Sequence, residues 1–149
     1  MHNWFECKIS YEKTQENGMQ KKVAELYLVD ALSFTEAEAH IIEEMKPYIS
    51  GEFTVTDIKR AKLSELFFNN NGDRFYMCGV EFISPKEKSD TEKKIKVQIL
   101  AQASSLEEAM RVLAKGMEGT LADYNSVSIK ETKIMDVFPY NEEDKKITL

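Results

Sequence analysis

NWFECKIS, residues 3–10, and DRFYMCGV, residues 73–80, read as two versions of one strand. In each, an aromatic pair ends two residues before a cysteine, and an aliphatic residue stands two after it. Side chains alternate between the faces of a strand, so Phe5, Cys7, Ile9 and Tyr11 share one face. Trp4, Glu6, Lys8 and Ser10 share the other. The second version puts Tyr76, Cys78, Val80 and Phe82 inward and Phe75 on the opposite face.

Aligning Cys7 with Cys78 extends the match along the chain. With a one-residue slip, KKVAELYLVDALS from Lys21 lies on KKIKVQILAQASS from Lys93. Ser33 then meets Ser105, Glu36 meets Glu108, Ala37 meets Ala109 and Met45 meets Met117. The slip reverses, and Ile58, Lys59, Lys62 and Phe67 meet Ile129, Lys130, Lys133 and Phe138. A collinear series of this kind points to an internal duplication.

Each copy reads strand, strand, helix, strand. Asn17-Gly18 is a strong turn signal, so the first two strands form a hairpin. The matching connection, SPKEKSDTEKK, is charged and carries a proline. Ser33 with Glu36, and Ser105 with Glu108, have the spacing of a capping box, which predicts two helix starts. Apolar stripes follow at helical spacing: Phe34, Ala37, Ile41 and Met45, then Leu106, Ala109, Leu113 and Met117. Pro47 and Gly51 end the first helix. The third strand is expected in FTVTDIKRAKLSELFF and in YNSVSIKETKIMDVFPY. Its inward face changes midway, which predicts a bulge or bend near Lys59–Lys62 and Lys130–Lys133.

The expected fold class is therefore α+β: two tandem ββαβ repeats, with antiparallel sheets of order 2-1-3, one helix per repeat and pseudo-twofold packing. The first repeat covers 1–68, a turn 69–73 and the second repeat 74–140, followed by a mobile tail at 141–149. YLVDALSFTEAEA, GEFTVTDIKRAKLSELFF and IMDVFPY resemble a family of uncharacterised proteins of about this length from gut anaerobes, their mobile elements and phages. The resemblance implies a bacterial or phage-encoded cytoplasmic protein. It carries over no catalytic or binding residue.

At 149 residues with a net charge of −6, the chain is long enough for a real core and too acidic for a broad grip on phosphate backbones. It has no apolar run of membrane-spanning length, and MHNWFECK lacks a signal-peptide pattern. No cofactor, metal or catalytic residue is expected. His2 belongs to a frayed terminus. His40, with Glu36, Glu43 and Glu44 a turn away, fits a solvated helix face better than a base or half a metal site. Cys7 and Cys78 read as buried, unpaired core thiols.

The candidate binding surface is made of Trp4 and Phe75, with Lys59, Lys62, Lys130 and Lys133 around them. Rings on a sheet face flanked by lysines suit base stacking. The first expectation is nevertheless that the rings are covered by the other half or by a second protomer, the next that they form a protein-partner site, and base stacking comes last because of the charge balance. The leading expectation is a non-catalytic cytosolic binding protein that contacts a protein partner, with homo-oligomerisation possible. Second comes a single-stranded nucleic-acid binder, and third a small enzyme.

Overall fold

A computed structural model describes residues 2–85 and 92–141. The elements run β1 (Trp4–Thr14), β2 (Gln20–Asp30), α1 (Phe34–Met45), β3 (Phe53–Arg60) and β4 (Glu65–Phe67). They continue with β5 (Arg74–Pro85), β6 (Glu92–Ala103), α2 (Leu106–Gly116), β7 (Asp123–Glu131) and β8 (Ile134–Phe138). The fold class is α+β, with two helices and two four-stranded sheets among the described residues.

The described residues up to Ala61, with those from Lys133 onward, form one compact unit; Lys62–Thr132 form the other. The first sheet has order β3-β1-β2-β8 and the second β7-β5-β6-β4. In each, three strands are antiparallel in the expected order, while the fourth is parallel to its neighbour.

That fourth strand corrects the reading of a single bent third strand. β3 ends with the Ala61 amide donating to the Trp4 carbonyl at 2.9 Å. The chain then enters the other sheet, where the Ser64 amide donates to the Gln98 carbonyl at 2.8 Å and β4 pairs with β6. In the second half, the Thr132 amide bonds the Phe75 carbonyl, and β8 then pairs with β2. The change of inward face marks a change of sheet. The bulges lie upstream: the β1–β3 register skips Thr56 and the β5–β7 register skips Val127.

The exchanged strands each deliver an aromatic ring to a core. In the first unit, Phe5, Cys7, Ile9, Tyr27 and Val29 pack with Ala37, Ile41 and Met45 of α1 and with Phe138 of β8. In the second, Cys78, Val80, Ile99 and Ala101 pack with Val112, Leu113 and Met117, and Phe67 of β4 lies against them. Gly116 makes room for that ring, since a Cβ there would sit 2.5 Å from Phe67.

Local signals are realised where they depend on near neighbours. Gly18 takes a positive φ of 82° in the hairpin turn, and its amide bonds the Gln15 carbonyl. Ser33 and Ser105 are N-caps, each Oγ accepting from the amide three residues on at 3.1 Å. Such a cap is worth about 1 kcal/mol. The reciprocal half of the capping box differs from expectation. Glu108 reaches past the cap to the Ser104 amide at 2.8 Å and also accepts from Asn69 Nδ2. In the first unit, Glu36 Oε1 is buried without a hydrogen-bond partner among the described residues. SPKEKSDTEKK and the tail lie largely outside the described residues.

Candidate functional site

Trp4 and Phe75 are 7 % and 2 % exposed, so neither ring offers a stacking platform. His2 stacks on Trp4 with ring centroids 5.2 Å apart, and its Nδ1 lies 2.5 Å from Asp30 Oδ2. The Asn3 amide donates to Asp30 Oδ1 at 2.9 Å. Asp30 thus anchors the segment expected to fray.

The four lysines are exposed but are not on one sheet. Lys59 and Lys130 lie in β3 and β7, and Lys62 and Lys133 lie in the segments that follow. Lys59 also faces Glu6 across the strand pair, with Nζ 3.8 Å from the carboxylate. Neither compact unit contains all four lysines.

His40 is engaged through both ring nitrogens. Nδ1 donates to the Asp30 carbonyl at 3.0 Å, and Nε2 lies 3.3 Å from Glu44. The Nδ1 bond fastens α1 to the end of β2. No cluster of metal-binding side chains occurs among the described residues.

Both cysteines are buried and free. Burial pushes the Cys7 thiol up to about 12, helped by the Glu6 charge, and burial pushes Cys78 up to about 11. A protonated, buried thiol is a poor nucleophile. Ellman's reagent at pH 8 should therefore modify neither thiol at an appreciable rate in the native protein and both after denaturation. Fast native modification would contradict the packing.

The first unit contains two concavities of interest. One is an open polar trough of about 660 Å³ at the hairpin end of the sheet, edged by Ser10, Thr54 and Thr56, with Glu12, Glu52 and Lys22 giving mixed charge. The other is smaller, about 200 Å³, and chemically more distinctive. Its walls carry the rings of Tyr11 from β1, Tyr27 from β2 and Tyr48 from the turn after α1. Met45, Ile49, Met135 and Phe138 supply apolar surface. Glu25 of β2 and Asp136 of β8 add two carboxylates.

Several local contacts hold this groove in shape. Pro47 cannot continue the helix, and the amides of Tyr48 and Ile49 both bond the Met45 carbonyl at 3.0 Å. Tyr27 stacks on Phe138 at 5.7 Å between centroids. Its hydroxyl donates to Glu25 Oε1 at 3.1 Å. Burial, then the Glu25 carboxylate, pushes the Tyr27 phenol far above its ordinary value; the same two causes raise Tyr11. Both phenols therefore remain neutral at physiological pH. Tyr48 and Met135 form an open rim, 73 % and 53 % exposed.

The sequence held one clue to this groove. The register places Tyr27 opposite Cys7 and Glu25 opposite Ile9, where the second sheet has Ile99 and Val97. A phenol and a carboxylate thus interrupt the inward apolar alternation in the first sheet and not in the second. The contribution of β8 was invisible, because it arrives from the far end of the chain.

Together these features define an α+β protein with two compact sheet-and-helix units and a half-open aromatic, methionine-rimmed groove in the first. The chain belongs to a family whose shared domain is described only as a domain of unknown function, DUF4494, matched over residues 3–140. No curated protein and no solved structure matches it significantly. No helix among the described residues is long and apolar enough to cross a membrane.

Proposed function

We propose that this chain is a non-catalytic binding protein of a bacterial or phage-directed cytoplasm, which acts by docking a protein partner at the groove between the end of α1 and the β2–β8 edge. The observation that carries this reading is the rim. Tyr48 and Met135 expose large, adaptable apolar side chains beside a preformed depression. Tyrosine and methionine are enriched at protein interfaces, because they bury much area and tolerate varied shapes. The nucleic-acid reading is weaker, since the two rings that would stack bases are buried. The enzyme reading is also weaker, because His40 Nδ1 is bonded to the Asp30 carbonyl and both thiols are enclosed. The two units are further read as copies of one duplicated ββαβ segment. Matching strand orders and matching bulge positions support that descent.

The test is affinity capture from host extract with wild-type protein and with Tyr48→Ala/Met135→Ala. A discrete protein should be captured by the wild type, lost with the double variant and unaffected by nuclease. Capture that survives the double variant, or that nuclease abolishes, would overturn this reading.

A further inference from the structure

The groove contains more charge than a purely apolar contact surface needs. Glu25 lies on the helix-facing side of its strand, at the register position that Val97 occupies in the other sheet. Asp136 is the β8 partner of Tyr27, so a second carboxylate joins the same wall. Asp136 Oδ1 accepts a short-range bond from the Val137 amide, and Glu25 accepts from the Tyr27 phenol. Among the described residues, no lysine or arginine forms an ion pair with either carboxylate. Two half-buried carboxylates without a cationic partner among the described residues suit a ligand that brings the cation.

Resting on the docking reading above, the geometry points to a lysine or arginine side chain of the protein partner as the occupant, its cation meeting the Glu25 and Asp136 carboxylates beside the tyrosine rings. Each wall suits one part of such a side chain. Met45, Ile49 and Phe138 take the aliphatic stem, as long basic residues bury their methylenes on apolar surface. Tyr11, Tyr27 and Tyr48 line the groove, and aromatic rings attract a cation. The size agrees as well. At about 200 Å³, the groove falls below the ~300–1,000 Å³ usual for small-molecule sites. It has room for one long side chain, with the partner's remaining surface on the Tyr48 and Met135 rim.

The experiment uses protein labelled with ¹³C at the methionine methyls. Met45 and Met135 report on the groove, and Met19, Met77 and Met110 serve as internal controls. The probes are N-acetyl-arginine methylamide and N-acetyl-lysine methylamide, set against the neutral citrulline and norleucine derivatives. The basic probes should shift Met45 and Met135 saturably, leave the controls still and bind about tenfold more tightly than the neutral ones. Glu25→Gln/Asp136→Asn should abolish that preference with the control signals unchanged. If the double variant is unfolded, Asp136→Asn alone should still weaken the basic probes, since the amide keeps the oxygen that faces the Val137 amide.

Equal binding of norleucine or citrulline would overturn the inference, as would free spermidine binding more tightly than either basic probe. The capture assay separates this failure from failure of the docking reading. A partner lost with Tyr48→Ala/Met135→Ala but retained by the carboxamide variant would sink the cation and leave the docking surface standing.

Discussion

Phe75→Ala should lower the free energy of unfolding by about 3–5 kcal/mol, the range for truncating a buried phenylalanine. The ring is 2 % exposed, on the face of β5 opposite Cys78. Its truncation therefore removes apolar burial and leaves a cavity that the ladders on both sides hold open. β5 pairs with β6 along one edge and with β7 along the other, and the Phe75 carbonyl accepts from both the Thr132 amide and the Thr132 hydroxyl. Denaturant titration with Phe75→Leu alongside gives the check. The alanine variant should shift the midpoint far more than the leucine variant, with little change in slope. A ring kept free to stack on a ligand would give a nearly neutral result, and that outcome would return Phe75 to the list of binding residues.

Gly72→Ala is expected to destabilise by about 1–3 kcal/mol or more, as overpacking does when nothing can move aside. A Cβ at Gly72 would lie 2.5 Å from both Cα and N of Ala103 and 2.8 Å from its carbonyl carbon. Those are backbone atoms at the end of β6, fixed by the Arg74–Ala103 register. The turn is also held from within. The Gly72 amide donates to the Asn69 carbonyl, and its own carbonyl accepts from Gln102 Nε2 at 3.0 Å. Asn69, fully buried, is bonded in turn to Gln102 and Glu108. Opening the turn to admit a methyl group would strain that network. Gly51→Ala is the control, because a Cβ there meets nothing within 4 Å. Equal loss from both substitutions would mean that the effect at residue 72 is not steric.

The features legible in the sequence are those set by short-range physics. Alternation in NWFECKIS and DRFYMCGV placed Cys7 and Cys78 on the helix-packed faces, where both are buried. Ser33 and Ser105 announced the helix starts, because an N-cap satisfies amides within one turn. Asn17-Gly18 announced the hairpin, because glycine takes a positive φ without a Cβ penalty.

The tertiary structure alone decided where the third-strand segments pair. The patterns of FTVTDIKR and ELF both suit a strand, and local propensity does not reveal which sheet receives them. Their partners, Phe5 to Tyr11 and Ile99 to Ala101, are distant in sequence, so the outcome depends on long-range packing that no window of residues contains. The burial of Trp4 and Phe75 is hidden for the same reason: a strand face reads as apolar or polar, but what lies over it is set elsewhere in the chain. The groove follows this rule most fully. Glu25 and Tyr27 become a site only when β8 brings Asp136 and Phe138 beside them from more than a hundred residues away.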